Sequence, residues 1–279
     1  MVLGKDVVTP LAICALLLSS VASDTVTVQI SGAASSGDDM LCAIGDLHGD
    51  EMHALRALKL CGAVDETGAW IGGTMTVVQV GDVLDRGNAS VPLLERLWSL
   101  RKEAAAAGGE LVLLIGNHEL LNLQGRIHYV EKAELLSFGG AAEWRGAFNP
   151  RDGHYGTRIA AQDGFAVRGH GGCRTLFMHA GLRANTARQY GSLDALNTAL
   201  REQLIENRGE LLDVHNGPLW FRGYARPRKV SCPGVRNHCS RQGSVNRPLG
   251  WAARPIVRRG IDAGACGWPA RLLADCLHV

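Results

Sequence analysis

Three short strings hold the residues best suited to chemistry: Gly45-Asp46-Leu47-His48-Gly49, Gly81-Asp82-Val83-Leu84-Asp85-Arg86-Gly87 and Gly116-Asn117-His118-Glu119. Asp46 and His48 stand two apart, so in extended chain their side chains leave one face and can grip one ion. Asp82 has lone pairs enough to place an oxygen on each of two ions, and Asn117 offers a neutral oxygen to the second. Carboxylate, amide oxygen and imidazole together suit the borderline ions manganese, iron or zinc, and none of the strings carries a thiolate that would select a structural zinc. The pattern predicts two divalent metal ions about 3.5 Å apart, a pair that activates water for in-line attack on phosphorus. Arg86 supplies a planar fork of donors for phosphate oxygens, His118 can protonate the departing alkoxide, and Asp85 can hold the His118 tautomer. These types in this order point to a phosphoesterase that works without a covalent intermediate, with Arg86, Asn117 and His118 meeting the substrate phosphate.

Each string follows a short apolar run: Leu41 to Ile44, Thr74 to Val80, and Leu111 to Ile115. Runs of this kind read as strands buried on both faces, and helical patterns follow them, through Met52, Leu55 and Leu58 and then Leu94, Leu97 and Trp98. Strand-loop-helix repetition of this kind predicts an α/β fold, whose ligands collect at the carboxyl ends of the strands because helices cover the sheet faces. A purely structural reading would make Asp46, Asp82 and Asn117 helix caps. That reading leaves His48, Arg86 and His118 unexplained.

The ordered strings resemble the phosphoprotein phosphatase family of calcineurin-like metallophosphoesterases, whose signature is GDxHG, GDxxDRG and GNHE. The nearest branch is the Shewanella-like protein phosphatases, similar in Thr175 to Leu182, in Gly217 to Tyr224 and in the Leu-Leu-Asn-Leu that follows Glu119. The resemblance covers roughly residues 41 to 225. It implies a β-sandwich flanked by helices in four αββα layers. It also implies that His179 is a ligand of the second metal and that Arg222 is a second phosphate-gripping arginine. The substrate it implies is a phosphorylated protein or peptide. Family members finish with a further histidine in Gly-His-Thr, and no Gly-His-Thr occurs in this sequence. The second sheet is therefore expected to be incomplete, and two alternatives stand beside the phosphatase: a dinucleoside polyphosphate hydrolase, and a catalytically impaired phosphate-binding protein.

Domain organisation follows from composition. Residues 1–23 read as a signal peptide with a possible role as an anchor, on the strength of Lys5, the apolar Leu11 to Leu18 and small residues before Asp24. The expected location is the secretory pathway or outside the cell, with the membrane involved only if that segment stays uncleaved. Residues 24–40 form a Gly, Ser and Ala-rich linker, 41–225 the metallophosphoesterase domain, and 226–279 a divergent tail with ten Arg plus Lys against Asp262 and Asp275. The whole chain has a formal net charge of +2 and no nucleic-acid-binding motif, so no nucleic-acid partner is expected. Absence of a Gly-x-Ser-x-Gly elbow and of a Gly-x-x-x-x-Gly-Lys-Ser/Thr loop removes acyl-hydrolase and nucleotide-kinase chemistry. Cys42 reads as a buried thiol in a core strand. Residues 122–172 read as a cap beside the metals, where Trp144, Phe148 and Tyr155 either line a groove or pack locally.

Overall fold

The computed structural model describes residues 40–169 and 174–224, together with the backbone of 256–258. Three strands, β1 (Leu41–Ile44), β2 (Thr76–Gln79) and β3 (Glu110–Leu113), lie parallel, with Leu41 opposite Thr76 and Thr76 opposite Glu110. Parallel neighbours need crossovers, and these are α1 (Glu51–Cys61) and α2 (Ser90–Ala106). The cap is built from α3 (Asn117–Leu123), α4 (Lys132–Ser137), α5 (Ala141–Ala147) and α6 (Gly156–Ala160). An antiparallel pair then follows, β4 (Phe165–Arg168) and β5 (Thr175–Met178), and after it α7 (Ala184–Tyr190) and α8 (Leu193–Glu206).

Alternation along β2 and β3 explains why their runs are apolar throughout. Val77, Leu111, Leu113 and Ile115 join the main core with Ala54, Leu58, Leu94 and Leu97 of the crossover helices. Their neighbours Val78, Val80, Val112 and Leu114 form a second cluster with Ala166 of β4 and Phe177 of β5. The parallel sheet thus packs helices on one face and a second sheet on the other, as side-chain alternation requires. The second sheet of this sandwich has two strands among the described residues, in keeping with the expected incomplete sheet.

Several expectations are corrected here. Met52 is exposed, and α1 instead buries Ala54, Ala57, Leu58 and Cys61. Cys42 is not a free thiol, since it forms a disulfide with Cys61 that ties β1 to the end of α1. Of the two readings for Trp144, Phe148 and Tyr155, local packing is the one observed: Trp144 stacks on Phe148 and Phe148 on Tyr155, with ring centroids 4.6 and 5.2 Å apart. From the basic tail, β6 (Ile256–Arg258) pairs antiparallel with β1 as an edge strand that periodicity did not reveal. The segments read as a signal peptide and a linker, up to residue 39, and the remainder of the tail lie outside the described residues. No described helix is long and apolar enough to cross a membrane.

Candidate metal centre

All three strings meet at the carboxyl edge of the parallel sheet, in the loops leaving β1, β2 and β3. The first two loops are sewn together by backbone: Leu47 and His48 N–H both donate to the Asp82 carbonyl at 2.9 Å, and Gly49 N–H donates to Val83 at 2.7 Å. Glycine is required where loops touch. A Cβ on Gly81, at φ +102°, would stand 2.5 Å from the Gly116 nitrogen, and one on Gly87 would stand 2.3 Å from the His48 carbonyl oxygen. His48, Asp82, Asp85 and Arg86 also hold left-handed backbone, with φ between 46° and 71°. Non-glycine residues enter that region at a cost and persist only where surrounding bonds impose it, a pattern concentrated at functional sites.

Glu119 imposes much of it. One carboxylate oxygen accepts from the N–H groups of Asp82 and Gly116, both at 2.8 Å, and the other from Val83 at 2.8 Å and Leu84 at 3.1 Å. Burial, the larger effect, and the nearby Asp82 carboxylate push the Glu119 acid above its ordinary range, while the N–H groups of Asp82, Gly116 and Leu84 oppose the shift. The N-cap positions fall on other residues, Asp50 for α1, Ala89 for α2 and Gly116 for α3, although Asp82 Oδ1 does accept an N–H from the first turn of α3.

Asp82 is the hub. Its Oδ1 accepts from His118 N–H at 2.9 Å, and its Oδ2 lies 3.4 Å from His179 Nε2, 3.8 Å from His48 Nε2 and 3.9 Å from His118 Nε2. Asp46 Oδ2 stands 3.6 Å from His48 Nε2. Such gaps are long for hydrogen bonds and lie near the roughly 3.4 Å that separates two ligands each about 2.1 Å from one tetrahedral ion. Two ligand groups result, Asp46, Asp82 and His179 in one and His48, Asp82 and His118 in the other.

The ring nitrogens are aimed by the backbone. His48 Nδ1 donates to the Leu84 carbonyl at 3.0 Å and His179 Nδ1 to the Val80 carbonyl at 3.1 Å, which leaves both Nε2 lone pairs facing the cluster. His48 Nε2 is buried with no hydrogen-bond partner. His179 Nε2 and Asn117 Oδ1 face each other as two acceptors at 2.7 Å, a juxtaposition that a shared cation relieves. Arg222 donates to that same Asn117 oxygen at 3.4 Å. These donors therefore fit divalent ions. Burial works against charge on Asp46 and His48, but their contact outweighs it. Asp46 is held below the usual carboxylate range, with help from His179 and Arg222, and His48 is held above the usual imidazole range, with help from Asp82.

A profile of calcineurin-like phosphoesterases matches residues 41–242. The chain belongs to that family. It is 45% identical to Shewanella-like protein phosphatase 2 of Arabidopsis thaliana over 38% of this chain and 27% of that one. It is 39% identical to Shewanella-like protein phosphatase 1 of Plasmodium berghei over 35% and 27%. An uncharacterised protein of Schizosaccharomyces pombe is 30% identical over 74% of this chain and 64% of its own. Among solved structures, the cold-active protein tyrosine phosphatase of a psychrophilic Shewanella superposes with a TM-score of 0.60 at 26% identity, covering 71% of this chain and 61% of that one. The chain thus spans less than two thirds of the length of each of these relatives.

Around this phosphoesterase centre, the structure gathers every site residue picked from the sequence. Asp46, His48, Asp82, Asn117 and His179 converge as above. His118 Nδ1 bonds Asp85 Oδ2 at 2.7 Å, its Nε2 faces the Arg86 guanidinium at 3.2 Å, and Arg222 reaches the site through Asn117. Three contributors escaped the sequence reading. Glu119 had a visible signal, since it occupies the third helical position where a capping-box glutamate reaches back to the backbone. Asn122 and Trp144 had none: Asn122 Nδ2 donates to Asp85 Oδ1 at 2.9 Å, and the Trp144 indole donates to Asn122 Oδ1 at 2.7 Å from another helix. The histidines His53, His128, His154 and His215 are exposed and stand apart from the ligand groups, while His170, His238 and His278 lie outside the described residues.

Proposed function

We propose that this chain is a metal-dependent protein phosphatase that hydrolyses phosphomonoesters of a phosphorylated protein or peptide. The observation that carries the reading is the buried, unpartnered His48 Nε2 aimed at the Asp82 hub, which Asp46, His179 and Asn117 also face. Asp46, His48, Asp82, Asn117 and His179 would hold two divalent ions, of which manganese, iron or zinc suit the mixed oxygen and imidazole set. Such ions, when bound, polarise a phosphoryl group and lower the pKa of a coordinated water. Arg86, beside His118, and Arg222, beside Asn117, would grip the phosphate oxygens, and Asn117 would add a contact to the same group. His118 delivers a proton from Nε2 to the departing oxygen, while Asp85 holds the opposite face of its ring.

The names of the relatives support a phosphoprotein as substrate. Export by way of a leader over residues 1–23 belongs to the same reading. The Cys42–Cys61 disulfide supports it, because such bonds persist in oxidising compartments. The test is to load purified protein with manganese, iron or zinc, count ions per chain, and follow release of phosphate from an aryl phosphate and from phosphoserine, phosphothreonine and phosphotyrosine peptides. Two bound ions with peptide turnover is the expected result. Metal binding with no turnover on any of these substrates would overturn the reading.

A further inference from the structure

The loop from Asp82 to Gly87 is tied down by two different sets of partners, and the division falls between the metal ligand Asp82 and the residue that supports the proton donor. The N–H groups of Asp82, Val83 and Leu84 go to the Glu119 carboxylate. The next two go elsewhere: Asp85 N–H donates to the Ser90 hydroxyl oxygen at 3.1 Å, and Arg86 N–H to the Tyr129 carbonyl at 2.8 Å. Asp85 and Arg86 both hold left-handed backbone, at φ 71° and 66°, so these acceptors retain a conformation that the chain would otherwise leave. Asp85 and Ser90 are fully buried, and an Asp85 N–H without its acceptor would have no water to turn to.

Ser90 is itself held from the cap. It opens α2 after Ala89, which offers no side chain to the helix, and the first turn of α2 contains no acidic residue of its own. Glu134 of α4 fills that role from outside. Its Oε1 accepts from Val91 N–H at 3.0 Å, and Ser90 faces the same carboxylate with its hydroxyl and its N–H. A carboxylate can only accept, so the Ser90 hydroxyl proton turns to Glu134 and a lone pair of its oxygen is left for Asp85 N–H. Glu134 is buried with α4 packed over the start of α2, and its Oε2 has no hydrogen-bond partner. Asp85 then bonds His118 Nδ1 through Oδ2 at 2.7 Å. A chain of contacts therefore runs from Glu134 on the cap, through Ser90 and Asp85, to the ring whose Nε2 lies 3.9 Å from Asp82 Oδ2. Neither Ser90 nor Glu134 bonds any of the five residues assigned to the ions.

We infer that Ser90 and Glu134 are positioning residues for proton delivery: they set Asp85, and through it the His118 ring, while Glu119 separately sets the metal-ligand end of the same loop. The inference rests on the phosphatase reading above. A proton donor contributes only while its ring is held in line with the departing oxygen, so a loosened Asp85 costs rate without costing metal.

The test uses two substrates whose leaving groups differ in their need for a proton. Phenyl phosphate releases a basic phenolate that gains from one, whereas dinitrophenyl phosphate releases a weak base that does not. Wild type, Ser90→Ala, Glu134→Ala and Glu134→Gln are compared as the full chain loaded with manganese, with ions counted per chain. The proton on His118 Nδ1 is followed by NMR in the zinc-loaded protein, its signal identified by loss in His118→Asn. Ser90→Ala and Glu134→Ala should lower kcat on phenyl phosphate by about tenfold, part of the roughly 10²- to 10⁴-fold that a positioned acid supplies, and by less than about twofold on dinitrophenyl phosphate. KM and metal content should stay as in wild type, and the Nδ1 proton should exchange faster with water. Glu134→Gln, whose amide oxygen still accepts, should remain within about twofold of wild type on both substrates. Equal losses on the two substrates would overturn the inference, because misfolding or lost metal acts on both alike. An unchanged phenyl phosphate rate in Ser90→Ala would also overturn it, and this variant decides the matter if Glu134→Ala does not fold. If wild type turns over neither substrate, the phosphatase reading fails; an Nδ1 proton that still responds to Ser90→Ala would then uphold the positioning, and one that does not would overturn it.

Discussion

Replacing Glu119 by glutamine keeps the shape of the side chain but turns one of its two oxygens into a donor. That carboxylate accepts four backbone N–H groups, from Asp82, Val83, Leu84 and Gly116, at 2.8 to 3.1 Å in a fully enclosed pocket. Either orientation of the new amide leaves two N–H groups facing an NH₂. An unsatisfied buried donor costs about 1–3 kcal/mol, so two cost roughly 2–6 kcal/mol. Removing a buried charge offsets part of this, and a net loss of about 3 kcal/mol is expected, a large share of the 5–15 kcal/mol typical of a domain. The consequence for the site follows from backbone strain. Asp82 sits at φ 57° and Asp85 and Arg86 at 71° and 66°, conformations that relax once their tethers loosen. Metal affinity should then fall about 10- to 100-fold, as it does when groups supporting metal ligands are lost. Urea unfolding of the metal-free protein and titration calorimetry with manganese measure the two effects. Glu134→Gln serves as the control, because Glu134 is also buried but reaches backbone on α2, at Val91 N–H. If Glu119→Gln unfolds within 0.5 kcal/mol of wild type, about the scatter of a neutral surface substitution, and binds manganese equally well, the carboxylate does not hold the loop.

Asp82→Asn and His118→Asn should both lose turnover, but only the first should lose metal; equal metal content in the two would contradict the assigned roles. Reducing the Cys42–Cys61 bond, which closes a loop of sequence separation 19, should lower stability by about 3 kcal/mol, seen as a shift in urea midpoint with and without reductant. Tyr155, whose hydroxyl donates to Glu95 at 2.7 Å, has its phenol pushed up from 10.0 to about 12 by burial and by that carboxylate. Because the folded state favours the protonated phenol, its contribution is fully present below pH 10 and lost as pH rises through about 12. Stability of wild type relative to Tyr155→Phe should therefore decline across that window and stay level below it, as followed by alkaline unfolding. Asn122→Ala should slow turnover without changing metal content, because it removes the donor to Asp85 Oδ1 but bonds none of the five residues assigned to the ions.

Much of the centre was legible because its residues are local to strand ends. Asp46 and His48 lie two positions apart in the loop leaving β1, though with His48 in left-handed rather than extended backbone, and three apolar runs announce the strands that deliver all three strings. The types also declare their chemistry, since carboxylate, amide and imidazole beside an arginine serve few purposes other than metal and phosphate. The spacing of Leu196, Leu200 and Leu204 likewise matches the one buried face of α8. Local pattern misled where a contact comes from far along the chain. Cys42 looks like a core thiol until the path of α1 brings Cys61 beside it, and Met52 looks like a core residue until α1 settles on its alanine face.

The sequence by itself determined the chemistry, because that depends on residue types and short spacings that no fold can alter. Tertiary structure alone decided how the chemistry is held. Asp85 is steadied by Asn122, and Asn122 by Trp144 from a different helix. The Glu119 carboxylate reaches backbone some 35 to 37 residues away. These contacts carry no periodic signature, since hydrogen bonds between distant segments depend on where the sheet and helices place them in space.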